Sequence, residues 1–202
     1  MFIHFTGFAG DCLINGTLDL RAPRLTDQLN ADRLVHLVDV ELEDLDNARR
    51  ITSPDFTIDR SQLCAVRVTG PRGSRALRIA TAPHRLRAQI GPYTILGRLH
   101  EPVGIDPLAT FEERDLMVPL TDATIAFMVG GVLDVRDWST LVINRELASW
   151  YRAAEGDDEP IAAVPSEALA PVVGPSSKVL TLQAGDRPRR HTGTPSRGPK
   201  SR

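Results

Sequence analysis

The second half of this 202-residue chain echoes the first. A shift of 81 positions lays Gly10, Ile14, Gly16 and Leu18 on Gly91, Ile95, Gly97 and Leu99. After a two-residue insertion, Asp32, Val35, Leu37 and Asp39 fall on Asp115, Val118, Leu120 and Asp122. After two more residues, Phe56-Thr57-Ile58-Asp59-Arg60 meets Leu141-Val142-Ile143-Asn144-Arg145. Matches that keep this order with only small gaps imply a duplicated unit, whose corresponding segments must follow the same backbone path. The chain therefore reads as a first β-rich unit over 1–81, a second over 82–152 and a tail over 153–202.

Each unit alternates like a strand-rich domain with one helical interruption. Ile14, Gly16, Leu18 and Leu20 alternate with Asn15, Thr17 and Asp19, the period of two that buries one face of a strand. Val35, Leu37, Val40, Leu42 and Leu45 continue that pattern. Asp59-Arg60-Ser61 and Asn144-Arg145-Glu146 lie between apolar runs and read as tight hairpin turns. Leu63 to Val68 returns as a strand, and the repeat assigns the same to Leu147 to Arg152. Thr69-Gly70-Pro71-Arg72-Gly73 is a turn cluster leading to one more strand, Ala76 to Ala80. Asp106 before Pro107 reads as the cap of a short helix carrying Leu108 and Phe111, and Leu25 to Arg33 is its partner in the first unit. Many short strands in so few residues close into small barrels, because closure removes exposed edges. The expected fold is thus mainly β with short helices: two tandem small barrel-like units, of SH3 or Sm type, side by side as a pseudo-dimer.

One apolar run differs from the rest. Val40 to Asp46 alternates apolar with acidic, whereas Ala123 to Val129 is apolar at nearly every position, so both of its faces should be covered. Ile125, Phe127 and Val129, with Trp138 and Trp150, form the candidate surface for a protein partner or a second copy. The tail holds no aromatic residue and is rich in proline, a composition that favours disorder. It ends in a basic cluster, and Val179 to Leu182 offers an added strand.

Charge and chemistry narrow the function classes. A net charge of −2 predicts no strong nonspecific pull toward nucleic acid or acidic membrane. The longest apolar run is too short to span a bilayer, and Met1 to Phe8 lacks the form of a secretory leader, so the expected location is the cytoplasm. No two histidines stand at i, i+4 and none lies at ligand spacing from a cysteine, so no metal or other cofactor is expected. Cys12 and Cys64 read as core thiols, and His36 as a surface residue. The paired Asp39 and Asp122 read as strand-closing residues that fix a turn. No catalytic constellation is expected, and the chain reads as a non-enzymatic binding or scaffold protein.

The order of elements around Gly16, Asp27-Gln28-Leu29-Asn30 and Ile58-Asp59-Arg60 is similar to that of Sm-like small barrels. That resemblance implies RNA binding in a ring-shaped oligomer, with Asp27, Asn30 and Arg60 contacting bases, as the alternative function. A segment with Asp-to-Asn one residue short, Ser61 where the family prefers Gly, and no Asn at this place in the second half depart from the pattern. Arg24-Leu25-Thr26-Asp27-Gln28-Leu29-Asn30 and Ile143-Asn144-Arg145 more closely resemble a group of uncharacterised bacterial small-barrel domains, in tandem copy, a likeness that brings no activity with it.

Overall fold

The computed structural model describes residues 1–71 and 79–154. The expected strand at Ala76 to Ala80 falls mostly outside them, and Val179 to Leu182 and the expected disordered tail lie outside them from residue 155 onward. Among these residues ten strands and two short α-helices follow in the order β1 (Phe2–Ala9), β2 (Cys12–Asp19), α1 (Leu25–Ala31), β3 (Leu34–Asp44), β4 (Arg50–Asp59), β5 (Leu63–Arg67), β6 (Thr81–Ile90), β7 (Tyr93–Pro102), α2 (Pro107–Phe111), β8 (Met117–Val129), β9 (Val132–Asn144) and β10 (Ala148–Ala153). The mainly β reading is correct. The closed barrels are not: the strands form one open antiparallel sheet of ten, in the order β10-β6-β7-β8-β9-β5-β1-β2-β3-β4, and the chain through residue 154 belongs to one compact unit rather than two repeat bodies.

The reason lies at the two turns read as hairpins. Asp59 caps a 3-10 turn, its Oδ1 accepting from the Ser61 N–H at 2.9 Å, and Asn144 Oδ1 accepts from the Glu146 N–H at 3.1 Å in the same way. A 3-10 turn at this point redirects the chain instead of folding it back. β5 therefore does not return along β4 but pairs with β1, and β10 leaves β9 to pair with β6. With β5 turned away from β4, its other side takes up β9, where Ala65, Val66 and Arg67 face Ile143, Val142 and Leu141. The halves are thus joined by backbone pairing, and β4 and β10 are left as the ends of the sheet.

Bends in the long strands arise from glycine and aspartate together. Pairing of β2 with β3 skips between Asn15 and Thr17, and that of β7 with β8 between Leu96 and Arg98, so Gly16 and Gly97 each sit in a bulge. Opposite them, Asp39 and Asp122 take φ of 52° and 46°, which aspartate tolerates better than most side chains. A Cβ on Gly97 would stand 2.9 Å from Leu120 Cβ, and one on Gly16 3.0 Å from Val40 Cγ2. Asp39 and Asp122 therefore do not close strands as the alternation implied; they kink β3 and β8 from within, with their carboxylates exposed.

Two apolar clusters form, and each borrows from the other half. Met117 and Val142 enter the cluster built on Phe5, Ile14 and Leu37, while Phe8, Leu13 and Leu45 enter the one built on Ile95, Ile125 and Leu141. Phe8, Tyr93 and Phe127 meet edge to face at centroid distances of 5.4–5.8 Å, a favoured geometry for aromatic rings. The Tyr93 hydroxyl donates to the Ala9 carbonyl at 2.6 Å, so its buried O–H is satisfied across the same boundary. Both faces of Ala123 to Val129 are largely covered, as read, and the cover includes first-half residues of this chain.

Candidate functional site

The helices are tied down by half-buried polar side chains, and these account for the residues read as RNA contacts. Asn30 Nδ2 donates to the Met117 carbonyl at 3.0 Å, and the Met117 N–H donates to Asn30 Oδ1 at 2.9 Å. Arg60 donates to the carbonyls of Leu29 and Asn30 at the end of α1, just as Arg145 donates to the Arg114 carbonyl at 2.7 Å beyond α2. Asp27 is held by Arg24 through two bonds of 2.7 and 2.9 Å. The structure does bring Asn30 and Arg60 together. Their hydrogen-bonding groups, however, are turned onto main-chain atoms of this chain, which leaves little of the donor and acceptor pattern that would read a base.

The candidate partner surface divides. Ile125 is fully buried and Phe127 is 2% exposed, so both belong to the chain's own core and are corrected from surface to interior. Val129 and Trp138 are half-buried against the same cluster, and the Arg67 guanidinium lies 4.2 Å from the Trp138 ring centroid. Only Trp150 stands open, 37% exposed on β10. Among the described residues its strand is one free edge of the sheet; the other is β4, where Thr57 and Asp55 are exposed. Leu34, beside β4 on β3, is 47% exposed. Sequence alone gave no sign of these edges, because the identity of a strand's partner is not written in its own alternation.

The titratable groups displaced from their ordinary values all have structural causes. Burial, reinforced by nearby Asp11, pushes the Cys12 and Cys64 thiols up to about 12, so both stay protonated and inert, in accord with their reading as core thiols. Burial likewise raises Tyr93 well above the usual phenol range. Asp59 is lowered to about 2, first by the Ser61 N–H and then by Arg33 at 2.7 Å. His36 is exposed, its Nδ1 2.8 Å from the Thr57 hydroxyl. Among the described residues, no group of three or more His, Cys, Asp or Glu is placed to hold a metal ion, and no helix is long and apolar enough to cross a membrane.

Comparison with family models, curated proteins and solved structures finds no match to this chain.

Proposed function

We propose that the chain is a non-enzymatic binding or scaffold protein that acts through protein–protein contacts, built as a tandem copy of one strand-rich unit. The observation that carries this reading is the pair of edges, β4 and β10, that no strand among the described residues covers at the ends of a continuous sheet. An unpaired edge offers a row of N–H and C=O groups to another strand. The tandem reading is supported by the order of pairing, since β5-β1-β2-β3-β4 and β10-β6-β7-β8-β9 run through their halves in the same sequence. It is supported again by the matched bulges at Gly16 and Gly97 and the matched arginines 60 and 145. Thiols held protonated and an acid held ionised for capping suit a structural protein better than a catalyst. Two free, buried cysteines accord with a cytoplasmic setting.

The RNA-binding alternative is less well supported, because Asn30 and Arg60 are engaged by main-chain atoms. Affinity purification of the full chain from its host, with protein and RNA both identified, separates the two. A protein partner retained through a wash of about 0.5 M salt is the expected result, since apolar and backbone contacts respond weakly to ionic strength. Capture of RNA alone, lost steeply as salt rises, would overturn the protein-binding reading.

A further inference from the structure

We infer that the partner at the free edges is a second copy of this chain, with β10 of one copy pairing antiparallel with β4 of the next in the register that β5 and β9 use internally. This choice of partner rests on the protein-binding reading above and goes beyond it. The internal junction supplies the template. Ala65, Val66 and Arg67 face Ile143, Val142 and Leu141 there. Phe56, Thr57 and Ile58 occupy the aligned positions of Leu141, Val142 and Ile143, and the offset that lays Arg60 on Arg145 lays Ala65, Val66 and Arg67 on Trp150, Tyr151 and Arg152. Between copies the same register sets Trp150 opposite Ile58, Tyr151 opposite Thr57 and Arg152 opposite Phe56.

The backbone is presented correctly for this. The Val68 N–H donates to the Thr140 carbonyl at 3.2 Å, so Thr140 and Val142 turn their backbone groups toward β5, because such groups alternate sides along a strand. Their aligned residues, Asp55 and Thr57, then turn theirs to the open side of β4. Pro54, which has no N–H to offer, lies just past the segment that the template uses.

Exposure points the same way. Met117, which packs into the first-half cluster across the internal junction, is 1% exposed, whereas its aligned residue Leu34 is 47% exposed. Ala65 is fully buried in that junction, whereas Trp150 is 37% exposed. What the junction covers in the middle of the sheet is left open at both ends by the described residues. The pairing joins unlike edges, so every added copy leaves one β4 and one β10 still free, and the assembly either closes into a ring or keeps growing. Thr57 stands where the junction has Val142, and Glu113 where it has Asn30, so the contact between copies is less apolar than the internal one and reversible.

Sedimentation and native mass measurement of the full chain, from about 1 to about 100 μM, provide the test. The mass should rise from the 22.1 kDa of one chain to multiples of it. Thr57→Pro removes the outward N–H at a place where an edge strand tolerates proline, and should return the protein to a monomer with an unchanged far-ultraviolet circular dichroism spectrum. In a Thr57→Cys, Tyr151→Cys double variant, a hydrogen-bonded pair across the seam brings the two Cα atoms to about 5.5 Å, within disulfide range. Oxidation should then give species of two or more chain masses on a non-reducing gel, a readout that holds even if the proline variant fails to fold. A wild-type chain that stays monomeric and a double variant that does not cross-link would overturn the inference. So would an oligomer that survives Thr57→Pro and does not cross-link. Either result leaves the protein-binding reading standing if a different protein is retained in the affinity experiment, whereas capture of RNA alone sinks that reading whatever the oligomeric state.

Discussion

Asn30 on α1 and Met117 on β8, 87 residues apart, exchange two hydrogen bonds of 3.0 and 2.9 Å, a side-chain amide standing in for the backbone of a neighbouring strand. Asn30→Ala leaves the Met117 N–H and carbonyl without their partner in a partly buried place. The expected loss is about 1–3 kcal/mol of unfolding free energy, read from urea denaturation. A variant as stable as the parent would mean that solvent satisfies Met117 equally well.

At Gly97 the side chains of Leu120 and Ala123 on β8 crowd the backbone of β7. Gly97→Ala sets a Cβ 2.9 Å from Leu120 Cβ, with Ala123 Cβ at 3.3 Å behind it. Neither neighbour can swing away as a long side chain can, so the strands must separate, at an expected cost of about 1–3 kcal/mol. Thermal unfolding followed by circular dichroism measures it, and a midpoint equal to that of the parent would show that the bulge absorbs a methyl group freely.

Asp59 gives the fold an acid-side pH dependence. Its pKa in the folded chain is about 2, against about 3.9 for an unperturbed aspartate, held down first by the Ser61 N–H and next by Arg33. A depressed folded value means that this carboxylate contributes stability that is fully present above about pH 4, and that this contribution fades as pH falls through about 2. Asp59→Asn keeps an acceptor for Ser61 without the charge. Its unfolding free energy should change less between pH 4 and 2 than that of the parent; equal slopes would assign the effect to other acids.

Cys12 and Cys64 should not react with a thiol reagent in the folded protein. Burial, with Asp11 nearby, raises both to about 12, so almost no thiolate exists at pH 8 and little of either sulfur meets solvent. With a disulfide reagent at pH 8, both should react only after denaturant is added. Rapid reaction of either one in native buffer would show that its strand opens locally.

Much of each half is legible in the residues, and the seam between the halves is not. Ile14 and Leu18 are buried along β2 as their alternation implied, and Asp106 does cap α2, its Oδ1 accepting from the Leu108 N–H at 2.9 Å, because these depend on neighbours in sequence. Ala123 to Val129 announced that something covers it, but Phe8, Leu13 and Leu45 lie more than 75 residues away, and composition cannot say which distant surface arrives. Thr81–Ile90 escaped notice as a strand because His84 interrupts the apolar positions Ala82, Leu86, Ala88 and Ile90, and Pro83 argues against a strand. Asn30 and Arg60 look like recognition residues in the sequence because amide and guanidinium groups serve equally well for gripping a base or a backbone carbonyl. Only the geometry chooses between the two.

The pairing of β5 with β9 also dictates when this molecule can become whole. On the ribosome, Leu63–Arg67 emerges and meets β1 long before Leu141–Ile143 has been synthesised, and until then its far side and the apolar side chains around it wait uncovered. Contacts so distant along the polypeptide make for slow maturation. A nascent chain stalled anywhere before Thr140 is therefore a species with an open strand and unfinished cores, and the interval before release is when it is most exposed to capture by chaperones or by other nascent chains.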